Sequence, residues 1–530
     1  MPNPLPLPPY NFRLRLAHEG PLLGWTRLSA DNASVVARIF ATPDDSESDP
    51  AVGLIVSYVD STATRRFIDM TVARHPLDID GRAPFFASDI TVPASAFSEG
   101  VLELEVLTLH AIYPGGGVFS APQAAFLTAT AAQPSVFTLS TGGSFDYAAL
   151  RSTLAERLDA NRAMLHAPNP TSHSFERRSD RSLDEARVVL RMPSMTAFSL
   201  VATTCRYPGF AFESERVDAA SFTQIAARHA DSSALLLLGD QIYADATASL
   251  FDKLTSLEKY QERYHALFRS PGFAAAVRAM PCYMTGDDHE YKDAWAIPDQ
   301  TLQVDLFKAA RMSFDIYQMS HSPAVAPLGA ETHDYSFIAG PVAVYVMDTI
   351  SKRDTTTPGT EKIVSDQQLA DFKAWLDTQT LRHILLATGG VVAPGMAVAL
   401  DGNHTDVHRA QGWDNWQAFN AQRLTLLDII AASGKNLLLV SGDYHCAAIA
   451  SIKIKTTGQE IAKAVVVPPA YAPMRYVNAT ASMLAVTELT GAYEITLDSQ
   501  RSIDGSGFAV IELTNGLWDI RFETAAVADA

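Results

Sequence analysis

Several stretches of this 530-residue chain are apolar at successive positions and stop at a polar or glycine-rich end: ALLLLGD (234–240), VAVYVMDT (342–349) and NLLLVSGD (436–443). A strand with one wet face alternates apolar and polar residues, so an unbroken run must be covered on both faces. FSLVATTC (198–205) and HILLATGG (383–390) share the texture. Helical patterns lie between them, at 150–165, near 218–230, and from Ser365, where Gln368 fits a capping box, through Leu376. Another helix, at about 415–433, stops at Gly434, suited to a helix C-terminus. Strands alternating with helices predict a layered α/β domain, a β-sandwich flanked by helices rather than a bundle. GFAVIELT (507–514) and LWDIRFET (517–524) predict a closing strand pair.

The first part of the chain reads differently. ASVVARIF (33–40), AVGLIVSYVD (51–60) and GVLELEVLTLHAIY (100–113) are short alternating pieces separated by Pro, Gly, Asp and Ser clusters. That spacing predicts an immunoglobulin-like β-sandwich. The loop-like segment 131–148 sets the expected boundary, giving an N-terminal β domain over 1–135 and an α/β domain over 136–530 with a β-rich end.

Charge narrows the partners. The formal net charge of −18 argues against nonspecific nucleic-acid or anionic-membrane binding. An anionic substrate would need a locally positive pocket. Cys205, Cys282 and Cys446 are too few for a disulfide framework and form no CxxC zinc knuckle. The N-terminus has prolines where a signal peptide has its apolar stretch, and it lacks a twin arginine. No apolar run approaches the ~18 residues of a membrane span. The expectation is a protein without a transmembrane segment, either cytoplasmic or secreted with its leader trimmed.

Chemistry collects at the strand ends, where open α/β sheets bind ligands. Cys205 and Asp240 end two of the runs and Asp443 a third; Tyr243 follows Asp240 by three residues and His445 follows Asp443 by two. After AMPCYMT (279–285) comes GDDHEYKD, with Asp287, Asp288, His289, Glu290 and Asp293. Massed carboxylates repel, and burying them unpaired is costly. A cation removes that cost, and carboxylate, phenolate, imidazole and thiolate together suit a multi-metal site with a trivalent or borderline ion. Taken singly, each residue has a plainer reading: a turn aspartate, an inert thiol, a core tyrosine, a hydrogen-bonded histidine. The conjunction favours a site. Cys282 and Cys446 read as structural, Asp348 as a support of the site or a turn residue, and DGNHTDVH (401–408) as a solvated loop.

CR (205–206), GDQIYAD (239–245), GDDHE (286–290), the strand ending MDT (347–349), GWDNW (412–416) and SGDYH (441–445) resemble the PhoD-like alkaline phosphatases, calcineurin-type metallophosphoesterases. Order and spacing agree across about 198–450, and that family also carries a β domain in front. The resemblance implies a metallophosphoesterase fold with Cys205, Asp240, Tyr243 and Asp443 on Fe(3+), and Asp240 bridging to Ca(2+) with Asp288 and His445. Asp287 is a ligand or the partner of one, Arg206 a phosphate clamp or a surface arginine, and His289 the proton donor to the leaving group. Gly286 stands where the family has tryptophan, and TGG (388–390) lacks an Asn-Gln pair often found there, so substrate identity is the most open point.

The implied reaction is hydrolysis of phosphate esters by metal-bound hydroxide. Two rivals accompany it: a phosphodiesterase or phospholipase-type hydrolase on the same core, and a non-catalytic metal-binding or interaction protein. The loops at 249–272, 295–330 and 395–415 should decide between monoester, diester and lipid substrates.

Overall fold

The computed structural model describes residues 11–43, 51–68, 74–75, 85–112, 127–130, 133–139, 144–165, 181–207, 216–244, 256–323, 331–357, 359–397, 415–472, 482 and 484–525. The chain divides into two compact units, Met1–Met192 and Pro193–Ala530.

In the first unit two antiparallel sheets share an apolar core. One pairs Asn11–Arg15, Val101–Ile112, Ala51–Val59 and Arg65–Phe67 in that order, with Arg187–Arg191 also on Val101–Ile112; the other runs Glu19–Leu28, Ser34–Thr42, Phe85–Pro93 and Arg74–His75. The alternation is physical: Val35, Ala37 and Ile39 of one sheet pack with Leu54, Val56, Leu104 and Val106 of the other. Each such Val, Ile or Leu side chain, fully buried, contributes roughly 1.5–3 kcal/mol.

The unit extends beyond the sequence boundary at 135/136. Segment 131–148, read as loop, carries strands Gln133–Leu139 and Ser144–Asp146. Helix Tyr147–Leu165 sits on the first sheet: the Tyr147 hydroxyl donates to Glu105 Oε1 at 2.6 Å, and Arg151 Nε and Nη2 donate to Glu105 Oε2 at 2.9 and 2.7 Å. Its Leu154 and Leu158 join Leu14, Leu107 and Leu109. An amphipathic pattern announces a helix but not which sheet it covers, so this helix reads falsely as the start of the α/β part.

The second unit holds two sheets. In one, Cys282–Thr285, Ala234–Leu238 and Ser199–Arg206 run parallel. The hairpin Gly507–Thr514 and Leu517–Thr524 adds antiparallel to them, as expected. In the other, Val342–Met347, His383–Thr388, Asn436–Ser441 and Glu460–Val466 are parallel neighbours, followed by Cys446–Ile454, Tyr493–Leu497 and Thr487–Thr490. Both-face burial holds. Ala343, Tyr345, Ile384, Leu386, Leu437 and Leu439 meet Phe372 and Leu376 of helix Asp366–Thr378 and Leu426, Leu427 and Ile430 of helix Asn420–Ser433. The intervening Val344, Leu385 and Leu438 are equally buried. Gly434 ends its helix at φ +61°. The capping box at Ser365 is only half formed: Ser365 Oγ accepts the Gln368 N–H at 3.1 Å, but the Gln368 amide donates instead to the Asp348 carbonyl at 3.2 Å.

Candidate active site

The parallel strands of the second unit deliver their carboxyl ends to one place. Two Gly-Asp pairs make the approach possible. A Cβ on Gly239, at φ +87°, would lie 2.5 Å from Asp287 Cβ, and one on Gly442 would lie 2.4 Å from the Leu238 carbonyl oxygen. Glycine is therefore demanded by neighbouring chain, not merely by a turn. At the strand ends, Cys205, within the last two residues of its strand, and Asp240 and Asp443, just past theirs, take left-handed φ angles of +45°, +55° and +61°. Each costs about 1 kcal/mol or more for a residue with a Cβ. Strain is thus repeated at three neighbouring strand ends, a pattern that clusters at functional sites.

The donors meet. Cys205 Sγ lies 3.4 Å from Asp240 Oδ2 and 3.8 Å from the Asp443 carbonyl oxygen. The Tyr243 hydroxyl is 3.4 Å from that same Asp240 oxygen and 3.1 Å from His445 Nε2. Asp240 Oδ1 turns the other way and accepts the His289 N–H at 3.3 Å. Ligand-type atoms of Asp240, Asp288 and His289 fall within 4.8 Å of one another. Asp240 thus serves two donor groups: a thiol–phenol side with Cys205 and Tyr243, and a carboxylate–imidazole side with Asp288 and His289. Tyr243 is also a packed residue, 5.3 Å from Tyr207 edge to face and 4.3 Å from the His289 ring. The core reading and the site reading hold together.

Residues 287–290 form the third wall. Asp287 is buried; its Oδ1 accepts from Arg353 Nη2 at 2.9 Å, while Oδ2 has no hydrogen-bond partner among the described residues. Arg353 is buried as well, a cation that sequence reading gave no role because it lies in a polar turn after the strand ending MDT. Asp288 Oδ2 accepts the Ala294 N–H at 2.5 Å. Glu290, noted in sequence only as one more acid, accepts the N–H groups of Asp240, Gln241 and Asp287 at 2.9, 2.7 and 2.8 Å.

Electrostatics argue that the donor set wants a cation. Burial, with Asp288 and Asp287 nearby, pushes the Asp240 carboxyl well up despite His289. Burial pushes Asp287 up to about 7 against the pull of Arg353. The Cys205 thiol and the Tyr243 phenol are driven up by burial and, respectively, by Asp240 and by Cys205 with Asp240. His445 is held down at about 4 by burial and by His289, keeping its imidazole neutral and available. A bound metal ion would reverse the penalty on every acid here, so the residues fit a metal centre.

The remaining expectations resolve as follows. Arg206 is no surface arginine: it is 4% exposed, and its backbone N–H donates to the Asp240 carbonyl at 2.8 Å. Cys282 and Cys446 are buried structural thiols. Asp348 braces its own turn, accepting the N–H groups of Ile350 and Ser351 at 3.0 and 2.9 Å and that of His333 at 2.8 Å. Gly286 and Gly389 carry no side chain because their neighbours fill the space. A Cβ at 286 would meet the Phe314 ring at 2.8 Å, and one at 389 the Gly286 carbonyl oxygen at 2.9 Å. Asp245, residues 401–408 and residues 412–414 of GWDNW lie outside the described residues.

The comparisons with known proteins bear on family and fold. A family model described as PhoD-like phosphatase matches residues 212–522, which includes Asp240 through His445, with Cys205 and Arg206 just ahead of the match. Among solved structures, the chain is similar to one described as "Structure of PhoD", at 15% identity and a TM-score of 0.54, over 94% of this chain and 84% of that one. At that identity the likeness is one of fold. No curated protein matches the chain.

Proposed function

The chain belongs to the PhoD-like phosphatase family, whose model matches more than half of it, and from this premise we propose that it hydrolyses phosphate esters with cations held where Cys205, Asp240 and Asp443 end their strands. Phosphoester hydrolysis follows from the family. The observation that carries the rest is the double use of Asp240: Cys205 Sγ and Tyr243 Oη both lie 3.4 Å from one of its oxygens, the other accepts the His289 backbone N–H, and ligand-type atoms of Asp240, Asp288 and His289 lie within 4.8 Å of one another.

Cys205, Asp240, Tyr243 and Asp443 would hold Fe(3+), and Asp240, Asp288 and His445, with Asp287 behind them, would hold Ca(2+); His445 would join that set from the Tyr243 side, its Nε2 being 3.1 Å from the Tyr243 hydroxyl. When bound, these cations would neutralise the phosphoryl oxygens and acidify a water for attack on phosphorus. The chain's own groups do the rest. Asp240 keeps both donor sets at one carboxylate. Arg206, buried beside it, supplies fixed positive charge for a non-bridging phosphoryl oxygen, the local cation that an acidic protein needs to attract an anion. His289 is partly exposed where its neighbours are buried, so its ring can reach a leaving group; it gives a proton to the departing ester oxygen. The leading substrate class is a phosphomonoester, the alkaline-phosphatase reading, with a phosphodiester as the alternative. Among the described residues, no helix is long and apolar enough to cross a membrane.

Elemental analysis of the purified protein with a panel of phosphomonoesters and phosphodiesters tests the proposal. Bound metal and preferential monoester turnover are expected. Preference for diesters would move the protein to the phosphodiesterase reading, and a metal-loaded protein that turns over neither class would make it a binding protein.

His289→Ala is expected to lower kcat for alkyl phosphates on the order of 10²-fold or more, and much less for esters of acidic phenols, which leave unassisted. Equal losses on both substrate types would remove His289 from the proton-donor role.

Phenolate and thiolate are unusual ligands for a calcium or magnesium centre, and phenolate is unusual for zinc. Bound to Fe(3+) they absorb visible light by charge transfer, so the concentrated protein should be coloured as purified. Reductant or chelator should bleach it with parallel loss of activity, and Tyr243→Phe should shift or weaken the band. A colourless, iron-free and fully active preparation would overturn the iron assignment.

A further inference from the structure

Glu290 belongs to the acidic cluster yet cannot face a cation. Its Oε2 accepts the backbone N–H groups of Asp240 at 2.9 Å and Asp287 at 2.8 Å; its Oε1 accepts the Gln241 N–H at 2.7 Å and Gln318 Nε2 at 3.0 Å. A carboxylate offers about four lone-pair sites, and all four are taken. The side chain is fully buried. Burial pushes its carboxyl up, and the N–H groups of Asp287, Asp240 and Gln241 with the Gln318 amide pull it back.

Local structure accounts for only part of this. Glu290 makes one half of a capping box at the short turn Asp288–Glu290, its side chain reaching back three residues to the Asp287 N–H. This does not explain the bonds from Asp240, Gln241 and Gln318, which come from other parts of the chain. Gln318 is itself built in. It lies on a π-helical turn, Asp315–Met319, and its amide also donates to the Tyr264 hydroxyl at 3.1 Å. The same turn presents Asp315, whose Oδ1 is 2.6 Å from His333 Nε2, and the His333 N–H holds Asp348. A π turn inserts one residue into a helix at some cost and is frequent at functional sites. Here it braces the floor beneath Asp240 and Asp287.

We propose that Glu290, held by Gln318, is a positioning residue: one of its oxygens bridges the amides of Asp240 and Asp287 and so sets the separation of the carboxylates that hold the cations. The proposal rests on the metal-bearing reading of the site. Without Glu290 the two loops stay in contact through Gly239, but buried N–H groups lose their acceptor and the aspartates lose their registration.

The test uses Glu290→Gln in the full chain. A glutamine has the same shape, yet whichever way it is turned its NH₂ points at a backbone N–H, that of Gln241 at one end or those of Asp240 and Asp287 at the other. Metal content as purified, the rate of metal release to EDTA, kcat and KM for p-nitrophenyl phosphate, and the melting temperature are compared with wild type. The control is Phe372→Leu, in the helix-covered core of the second sheet, which lowers the melting temperature without touching the site. Glu290→Gln should release metal at least tenfold faster and lose kcat more than it raises KM, whereas Phe372→Leu should release metal at the wild-type rate. If Glu290→Gln does not fold, Gln318→Leu removes one of the four bonds and should show the same change to a lesser degree. Wild-type release kinetics in a destabilised Glu290→Gln would reduce Glu290 to a structural residue and overturn the proposal. A wild-type protein that carries no metal would instead defeat the functional reading, and the proposal with it.

Discussion

Asp240→Ala should lose its metal and on the order of 10³-fold or more of its turnover while remaining folded. The argument starts from the two faces of one side chain. Oδ2 stands 3.4 Å from both the Cys205 thiol and the Tyr243 hydroxyl, and Oδ1 takes the His289 N–H. Removing it deprives both donor groups of their common member. The backbone has reason to stay: the Asp240 N–H still reaches Glu290, and its carbonyl still accepts from the Arg206 N–H at 2.8 Å. Alanine is less at ease than aspartate at φ +55°. Asp240→Asn is therefore the companion variant, keeping the shape and the left-handed preference while losing the charge. Metal analysis, activity and a thermal melt read the result. Normal metal content and turnover in either variant would dismantle the site.

Arg423→Met is expected to cost about 3–5 kcal/mol of stability. Both partners of its ion pair are buried, with Arg423 Nη1 2.5 Å from Glu488 Oε1 and Nη2 2.9 Å from Oε2. Glu488 Oε2 also accepts the Gly395 N–H at 3.0 Å, so the pair pins the loop that follows strand His383–Thr388. Deleting the guanidinium leaves a buried carboxylate without this cation, and desolvation then acts without its Coulombic compensation. Arg423→Met with Glu488→Leu should recover much of the loss, because a pair of apolar side chains leaves no charge behind. Chemical denaturation of the single and double variants measures both. A single variant as stable as wild type would show that the pair contributes nothing.

How much of this was readable in the chain depends on distance along it. The strands of the second unit were legible because a residue's need for cover is a property of its own side chain: Leu235 through Leu238, or Leu437 through Val440, could not be half exposed. The helix ends at Gly434 and Ser365 were legible for the same reason, with interactions spanning at most a few residues. Half of the Ser365 capping box was not, since the Gln368 amide was drawn to Asp348, twenty positions away. Helix Tyr147–Leu165 is legible as a helix but its place in the first unit is not, because its attachment runs through Glu105.

The sequence by itself determined the α/β layering, the kinds of donor available and their placement at strand ends, because apolar runs and Gly-Asp endings express local physics. Tertiary structure alone decided which acids look into the site and which hold it up. Asp287 and Glu290 are three residues apart and chemically alike, yet Asp287 keeps an oxygen with no partner among the described residues while Glu290 is saturated by four N–H groups. The cation beside Asp287 comes from Arg353, and the brace on Glu290 from Gln318. Such roles are set by which donors the folded chain brings within about 3 Å of a buried oxygen, and that is decided by contacts between residues far apart in sequence.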